Sequence, residues 1–326
     1  MPLWPLKVVR TSVTNLPFSK PGTFYRGNLH THSTMSDGAR TPEQVVDDYR
    51  SQGYDFISLT DHFLPNAHFR KGAPGFIKVT DTRPHDRDDF ITILGAEVHG
   101  PAMENGEMWH LVAVGLPLDF PELAPGESGP SVARRAYEAG AWVSLAHPYW
   151  NAVSEVDALS VVDIIHAVEV YNHASEVGPL RGWGFHQAEV LLNKGHRVHL
   201  NAADDAHFKN PAGTFVDAFG GWVQVKAESF EPDALVAALK AGEYYSSTGP
   251  EIHNIEIDGD MIRVESSPVN RVVVTGAGAT SRRAIGEGQT TAELELPPRE
   301  KTPYVRVTVI DADGRLAWSN PIWLDE

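Results

Sequence analysis

The first 250 residues alternate between short apolar runs and segments in which apolar residues recur with the period of an α-helix. The apolar runs predict strands at 28–32, 56–62, 90–97, 110–115, 142–148, 164–171, 197–207 and 222–225. The helical period predicts helices at about 42–52, 131–139, 185–193 and 232–241. Because strands and helices alternate, we expect an α/β region that forms a closed or nearly closed parallel barrel.

From residue 251 to residue 326 the helical period disappears. Alternating runs at 255–257, 271–274, 292–296 and 304–310 are separated there by turns rich in glycine, proline and aspartate. Such a pattern is typical of small antiparallel sandwiches. We therefore predict two domains, a barrel over residues 1–250 and a small antiparallel β-sandwich over residues 251–326.

Composition and charge narrow the classes of partner. The 326 residues carry a formal net charge of -16, which argues against nucleic acid because such partners need a basic patch. No apolar run approaches the roughly 18 residues of a membrane span, so we expect a cytoplasmic protein with no membrane partner.

Cysteine is absent, which excludes disulfides, a cysteine nucleophile and thiolate metal ligands. Nothing in the composition indicates the oligomeric state.

Histidine and carboxylate residues recur at the ends of the predicted strands. In the first strand, the period of two places His30 and His32 on the same side, and Asp37 follows in the next turn. Considered alone, this pair fits two half-buried, hydrogen-bonded histidines as well as it fits a metal site. However, all 15 histidines except His253 lie between His30 and His207. The chemistry is therefore expected in the first domain.

The ordered motifs of the first domain resemble those of the PHP (polymerase and histidinol phosphatase) superfamily of metallohydrolases. The motifs are His30-x-His32, Asp37, Asp61-His62, Glu97, His110, His147-Pro148 and Asp205-x-His207. The resemblance covers about residues 30 to 250 and implies a distorted seven-stranded (β/α) barrel with a trinuclear metal centre. The segment 242–250 and the β-rich C-terminal region resemble the CehA/McbA-like subgroup.

The resemblance also implies how the ligands divide among the ions. One ion is expected at His30, His32, Glu97 and Asp205, a second at Asp37, His62 and His207, and a third at Glu97, His110 and His147. Nitrogen and oxygen ligands without thiolate suit Zn, Mn or Fe, and a carboxylate that bridges two cations relieves their repulsion. We expect two to three such divalent ions.

Five residues near these motifs are candidates for further roles. Asp61 and His207 are candidates for the proton donor to a leaving group, although Asp61 also fits a role in orienting a histidine or lysine. His99, Asn172 and Lys209 are candidates for contact with the substrate. Their alternatives stay open: a metal contact or a rim position for His99, turn capping for Asn172, and solvated surface charge for Lys209.

Two further pairs of residues could help to bind a substrate. Arg70 and Lys71, in the long segment 63–89, could neutralise a phosphate or could be ordinary surface charge. Tyr149 and Trp150 could form the wall of a pocket for an organic group or could serve only packing.

These observations favour a metal-dependent hydrolase with a small, anionic substrate. The expected reaction is hydrolysis of a phosphomonoester by a hydroxide that bridges two metal ions, a reaction of class EC 3.1. Because the same cluster could attack a carbonyl carbon, a carbamate, amide or ester hydrolase is the alternative, and no obvious arginine clamp decides against it. A non-catalytic, metal-stabilised binding module is the second alternative.

Overall fold

The structure is a computed structural model that describes residues 16–66, 74–76, 78–209 and 216–324. The α-helices are α1 (Pro42–Ser51), α2 (Gly129–Glu138), α3 (Glu155–Val161), α4 (His173–Val177), α5 (Phe185–Asn193) and α6 (Pro232–Ala241). Short 3-10 helices occupy Pro17–Ser19 and Arg83–His85. The strands are β1 (Thr23–Asn28), β2 (Phe56–Leu59), β3 (His62–Asn66), β4 (Pro74–Phe76), β5 (Ile91–Gly100), β6 (Trp109–Val114), β7 (Trp142–Leu145), β8 (Ala167–Asn172), β9 (His199–Ala203), β10 (Trp222–Ala227), β11 (Tyr244–Ser247), β12 (Ile252–Asp258), β13 (Met261–Gly276), β14 (Ser281–Glu295), β15 (Tyr304–Ile310), β16 (Leu316–Ser319) and β17 (Ile322–Trp323).

Local sequence explains where the predicted helices begin, as α1 illustrates. The Thr41 side chain accepts a hydrogen bond from the backbone N–H of Gln44, whose side chain accepts one from the backbone N–H of Thr41. This reciprocal cap satisfies two backbone donors that the first turn leaves without partners. The apolar face, Val45, Val46 and Tyr49, is buried with residues of β2. The four predicted helices are present as α1, α2, α5 and α6.

Two short helices were not predicted from the periodicity. Helices α3 and α4 are 7 and 5 residues long, which is too short for a helical period to emerge. Each begins at a side-chain cap: Ser154 accepts from the backbone N–H of Asp157, and Asn172 accepts from that of Ser175. Asn172 therefore does act as a cap. Within the described segments, no helix is both long and apolar enough to cross a lipid bilayer.

The strands that precede residue 250 form a sheet of mixed direction. Parallel pairings join β1 to β2, β2 to β5, β7 to β8 and β8 to β9. In contrast, β6 is antiparallel to both β5 and β7, so the expectation of a wholly parallel arrangement is wrong. The reason is the connection: only residues 101–108 join β5 to β6, whereas a parallel crossover needs about a dozen residues or more. The α/β class itself is confirmed.

Buried apolar side chains hold consecutive strands together. Val98 in β5, Leu111 in β6, Val143 in β7, Val168 in β8 and Leu200 in β9 belong to one core cluster. Each removes apolar surface from water, which stabilises the fold by about 25 cal/mol per Å². The strand ends that emerge from this core are consequently held in fixed relative positions.

The C-terminal strands are antiparallel and have a core of their own. The long strand β13 pairs with β12, β14 and β15, and β15 pairs with β16 and β17. Ile255, Val264, Val272 and Val307 belong to a separate apolar cluster. However, β16 also pairs with β11, so hydrogen bonding crosses the boundary expected at residue 250. The division into two domains stays a prediction.

Gly95 in β5 lies against both neighbouring strands, and we expect Gly95→Ala to destabilise the protein. An added Cβ would lie 2.4 Å from Ser58 Oγ in β2 and 2.7 Å from the carbonyl oxygen of Ala113 in β6. Because the paired backbone cannot move aside, the free energy of unfolding should fall by about 1–3 kcal/mol in urea denaturation.

Gly286→Ala is the control for Gly95→Ala, because its added Cβ would meet no atom closer than 3.5 Å. The control should change the free energy of unfolding by less than about 0.5 kcal/mol. A Gly95→Ala protein as stable as the wild type would contradict the close packing of β2, β5 and β6.

Candidate metal centre

The first two predicted ligands, His30 and His32, follow directly after β1. That strand ends sooner than expected, but Thr31 still forms an isolated parallel bridge with Ala206. Both histidines are completely buried. The Nε2 atoms of His30 and His32 lie 3.3 Å and 2.9 Å, respectively, from Asp205 Oδ1. The two imidazoles therefore converge on one carboxylate.

Glu97 lies at the centre of the surrounding histidines. It is 1% exposed, and its Oε1 atom lies 2.7 Å from His110 Nδ1 and 3.2 Å from His147 Nε2. Its Oε2 atom lies 2.6 Å from His62 Nδ1. His30 Nε2 is 3.6 Å from Oε1. A carboxylate in this position has the geometry to bridge more than one ion.

The predicted ligands form overlapping groups in which the nitrogen and oxygen atoms lie within 4.8 Å of one another. The groups are His32, Asp37, His62 and His207; His30, His32 and Glu97; His30, His147 and Asp205; His62, Glu97 and His99; and Glu97, His110 and His147. The set expected for the third ion is found unchanged, and the second set also includes His32. The first set is divided, because Asp205 is grouped with His30 and His147 and not with His32 and Glu97. The structure thus brings all of the predicted ligands into one cluster.

The cluster has the chemistry of a divalent metal site. Among the described residues, His30 Nε2, Asp37 Oδ1 and Glu97 Oε2 are buried and form no well-aligned hydrogen bond, although each has close polar neighbours. Each of these atoms belongs to a residue of at least one of the groups above, so each is available as a ligand of a cation. Imidazole nitrogen and carboxylate oxygen suit Zn, Mn or Fe, so the residues fit such ions.

The carboxylates of the cluster remain ionised. Burial raises the pKa of Glu97, but the neighbouring histidines, His110 and His62 foremost, outweigh burial and hold the pKa well below its usual value. Burial acts in the same direction on Asp37 and Asp205, and neighbouring histidines again lower the pKa below the usual range. Negative charge is therefore concentrated where cations would bind.

The histidines of the cluster differ in protonation. Burial lowers the pKa of His62, but Glu97 and Asp37 outweigh burial and raise it to about 10. For His110, burial prevails and lowers the pKa to about 3. Without a metal ion, the cluster therefore contains both protonated and neutral imidazoles. An ion must displace protons such as the one on His62, so its affinity falls as the pH falls.

Two of the predicted ligands adopt an unusual backbone conformation. The φ angles of His147 and Asp205 are 24° and 57°, a region that costs a residue other than glycine about 1–3 kcal/mol. Hydrogen bonds hold both in place: the His147 N–H donates to Glu169 Oε2 at 2.7 Å, and the Asp205 N–H donates to the His30 carbonyl at 2.8 Å. Such strain is typical of functional sites.

Asp61 has a different environment from the one expected. Its carboxylate accepts hydrogen bonds of 2.6 to 2.9 Å from the backbone N–H and hydroxyl of Ser33 and from the hydroxyls of Ser36 and Thr80. None of these donors is a histidine or lysine. Asp61 therefore organises the loop that leads to Asp37, and this geometry argues against its predicted role as a proton donor.

His207, the other candidate proton donor, is oriented as a ligand. Its Nδ1 atom lies 2.8 Å from the carbonyl oxygen of Asp205, to which it donates a hydrogen bond. The Nε2 atom then remains free to bind an ion and lies 3.3 Å from Asp37 Oδ1. The ring stacks on His32 with a centroid separation of 4.2 Å.

Two of the predicted substrate contacts are buried behind the ligands. His99 is 1% exposed, and its Nε2 atom lies 2.8 Å from His62 Nδ1, so it is not a rim residue. Asn172 is completely buried, and its side-chain amide donates to Asp205 Oδ2 at 3.3 Å. Neither side chain lines the cavity over the cluster.

Of the cationic residues predicted to bind a substrate, Lys209 lies among the described residues. The Lys209 ammonium forms an ion pair with Asp37 Oδ2 at 2.5 Å, and the Lys209 side chain is 51% exposed. It thus neutralises a predicted ligand and is not simply solvated surface charge. Arg70 and Lys71 lie outside the described residues.

A cavity of about 210 Å³ opens over the cluster. Apart from the ligands, it is lined by Trp150, Ala174, Ser175 and Pro179. The Trp150 ring meets the rings of His110 and His147 at steep angles, with centroids 5.6 and 5.1 Å away. Trp150 therefore forms a wall of this cavity, whereas Tyr149 does not line it.

One buried carboxylate beside the ligands escaped the sequence analysis. Glu169 in β8 is 1% exposed, and its Oε1 atom lies 3.0 Å from His30 Nδ1. The available signal was its place near the end of a predicted strand, three residues before Asn172. The period of two in a regular strand places two such side chains on opposite sides, so the spacing by itself does not indicate that they act together.

The fold and its ligands can be compared with known proteins. No protein-family model matches the chain. A two-domain protein from Bacteroides vulgatus, described as containing a predicted PHP-like metal-dependent phosphoesterase, aligns with 92% of this chain and 96% of its own, at 17% identity and a TM-score of 0.53. The chain has the PHP-like fold. The resemblance to the PHP superfamily is thus confirmed for the fold, and the CehA/McbA-like subgroup stays a prediction.

A curated relative of this chain comes from Eggerthella lenta. It is a phosphoribosyl 1,2-cyclic phosphate 1,2-diphosphodiesterase, 27% identical over 143 residues. The match covers 44% of this chain and 47% of the relative. The chain therefore spans about half the length of the curated relative that it matches.

Asp61→Ala should destabilise the protein strongly. The substitution leaves the buried donors of Ser33, Ser36 and Thr80 without their acceptor, and each such donor costs about 1–3 kcal/mol. We expect the free energy of unfolding to fall by at least about 3 kcal/mol, measured by urea denaturation. Asp81→Ala, which removes an exposed ion pair with Arg83, is the control and should leave the unfolding curve unchanged. Equal curves for both variants would show that Asp61 does not organise this loop.

Proposed function

We propose that the protein is a metal-dependent phosphoesterase that acts on a small, anionic phosphomonoester. The observation that carries the proposal is the set of overlapping imidazole and carboxylate groups that share Glu97 beneath a cavity of about 210 Å³. The phosphodiesterase activity of the Eggerthella lenta relative supports the choice of phosphorus chemistry. Neither nucleic acid nor a membrane is proposed as a partner, and the cytoplasmic location stays a prediction.

The proposed cofactors are two to three divalent ions, Zn, Mn or Fe. One would be held by His30, His32, Glu97 and Asp205, one by Asp37, His62 and His207, and one by Glu97, His110 and His147. Such ions, when bound, supply Lewis acidity and lower the pKa of a coordinated water to about 7. The ligand carboxylates partly balance the cation charge, so the remaining positive charge attracts the anionic substrate.

The residues around the ligands would orient the substrate and the metal centre. Trp150 and Pro179 offer an apolar surface for the organic part of the substrate, while the phosphoryl group faces the ligands. Asp61 keeps the loop before Asp37 in place through Ser33 and Ser36. These side chains bind the organic part of the substrate and hold the ligand loop in place.

Within the α/β fold, we propose that seven strands form a distorted PHP barrel: β1, β2, β5, β6, β7, β8 and β9. It is supported by the unbroken run of pairings through these strands and by the bridge between Thr31 and Ala206, which joins the two ends of the run. The antiparallel pairings of β12 to β17 support a small C-terminal sandwich in the same way.

A carbamate, amide or ester hydrolase is the alternative that a specific observation favours. Among the described residues, no arginine or lysine lines the cavity, and Lys209 is paired with Asp37. A site for phosphomonoesters would then depend on the ions alone to bind the phosphoryl oxygens. The second alternative, a non-catalytic binding module, is opposed by the complete ligand set.

The metal content and the substrate class can be measured together. Freshly purified protein should contain two to three equivalents of Zn, Mn or Fe by elemental analysis and should release phosphate from an aryl phosphate. Chelation should abolish turnover, and re-addition of metal should restore it, because the ions supply the Lewis acidity. Selective cleavage of an aryl carbamate or an aryl ester would favour the alternative hydrolase. A metal-free protein that cleaves neither the aryl phosphate nor the carbamate nor the ester would refute both the phosphoesterase and the alternative hydrolase.

Asp205→Asn should separate an enzyme from a binding module. The amide keeps the shape of the side chain but removes a charged ligand between His30 and His32. We expect kcat to fall by more than about 100-fold, with an unchanged circular dichroism spectrum. Loss of a residue that only supports a metal ligand already lowers metal affinity or activity by about 10–100-fold, and Asp205 is itself a predicted ligand. The exposed Asp163→Asn serves as the control and should keep wild-type kcat. Wild-type turnover by Asp205→Asn would argue against the metal centre.

A further inference from the structure

Glu169 and Asn172 are a pair of buried side chains on β8 that connect three of the predicted ligands. Their exposed fractions are 1% and 0%. Neither lines the cavity over the cluster, so neither is placed to touch a substrate. Their side-chain hydrogen bonds run to predicted ligands, to each other and, from Asn172, to the start of α4.

The contact with His30 sets the orientation of its ring. Glu169 Oε1 lies 3.0 Å from His30 Nδ1, which donates the hydrogen bond. In the neutral ring that binds a metal ion, the opposite nitrogen, Nε2, then carries no proton, and it lies 3.3 Å from Asp205 Oδ1. A carboxylate that accepts from one nitrogen of a ligating histidine fixes both the tautomer and the ring plane.

The second oxygen of Glu169 contacts one more predicted ligand directly and another through Asn172. Glu169 Oε2 accepts the backbone N–H of His147 at 2.7 Å, where φ is 24°. The same oxygen accepts from the side-chain amide of Asn172 at 2.9 Å, and this amide also donates to Asp205 Oδ2 at 3.3 Å. One carboxylate and one amide therefore link ligands that follow β1, β7 and β9.

An irregularity in β8 makes this arrangement possible. In the pairing with β9, Glu169 is opposite Asn201 and Tyr171 is opposite Ala202, so Val170 is an extra residue. In a regular strand, Glu169 and Asn172 would point to opposite faces. The extra residue shifts the alternation by one and turns both side chains toward the ligands, as bulges beside functional sites often do.

Stability alone does not explain a buried carboxylate at this position. Removing a charge from water costs several kcal/mol, and well-packed apolar residues are often equally or more stabilising than a buried charged pair. Every side-chain partner of Glu169 that the structure describes is a predicted ligand or Asn172. The arrangement is therefore better explained by the geometry of the ligands than by the stability of the fold.

We propose that Glu169 and Asn172 are positioning residues that jointly orient His30, His147 and Asp205 for metal binding. The proposal rests on the proposed metal-dependent function. It assigns the pair no contact with the substrate or the reacting atoms. Its effect is on the affinity and the coordination geometry of the bound ions.

Glu169→Gln is the primary test. Glutamine keeps the shape, but it has one acceptor oxygen for the three donors that the carboxylate now serves. Metal-free protein is titrated with Mn²⁺ and Zn²⁺ by calorimetry, and its Co²⁺ form is examined by visible absorption. We expect the affinity to fall by about 10–100-fold, as is usual for residues that support metal ligands, and the Co²⁺ spectrum to change.

A second variant and a control separate positioning from folding. Asn172→Ser keeps a hydroxyl that can cap α4 but loses the amide that joins Glu169 to Asp205, so it should also weaken metal binding. Ser144→Ala removes a buried hydrogen bond of 2.7 Å to Asn201, which has no described contact with a ligand side chain. This control should lower the melting temperature of the metal-free protein but keep wild-type affinity and the wild-type Co²⁺ spectrum.

The outcomes distinguish this inference from the proposed function. A wild-type protein that binds none of the three ions overturns the proposed function and the inference together. A wild-type protein that binds them, with Glu169→Gln and Asn172→Ser equal to it in affinity and Co²⁺ spectrum, overturns the inference alone. Equal weakening in Ser144→Ala would also overturn it, because general destabilisation would then account for the effect.

Discussion

A buried carboxylate surrounded by imidazoles is the constraint on which the rest of the structure depends. The oxygens of Glu97 lie between 2.6 and 3.7 Å from ring nitrogens of the neighbouring histidines, and the side chain is 1% exposed. A charge in such a position requires compensation, which without a metal ion comes from protonated imidazoles such as that of His62. Divalent cations supply it while using the same atoms as ligands. The site is therefore better suited to a metal centre than to a network of hydrogen bonds.

The direction of β6 determines how the histidines reach Glu97. Because β6 is antiparallel to β5, His110 at its start is directly opposite His99 near the end of β5. The ligands His30, His147 and Asp205 instead follow the ends of β1, β7 and β9.

The C-terminal region contributes to the strand that precedes Asp205. The backbone N–H groups of Leu200 and Ala202 in β9 donate to Asn320 Oδ1 and Ser246 Oγ at 2.8 and 3.2 Å. These side chains take the place of a neighbouring strand and satisfy backbone donors that would otherwise be buried without partners. The pairing of β11 with β16 brings Ser246 and Asn320 to this edge. Through Asn320, the C-terminal region therefore supports β9, the strand that precedes Asp205.

The sequence by itself determined the predicted ligands and their order along the chain, together with the helices α1, α2, α5 and α6. These are local properties: the absence of cysteine, the period of a strand and the signals at helix ends act over a few residues. Only the tertiary structure decided the direction of β6, the engagement of Asp61 with Ser33, and the joint orientation of Glu169 and Asn172. Each depends on a pairing or a bulge between distant segments, and a strand's register is set by its partner and not by its own residues.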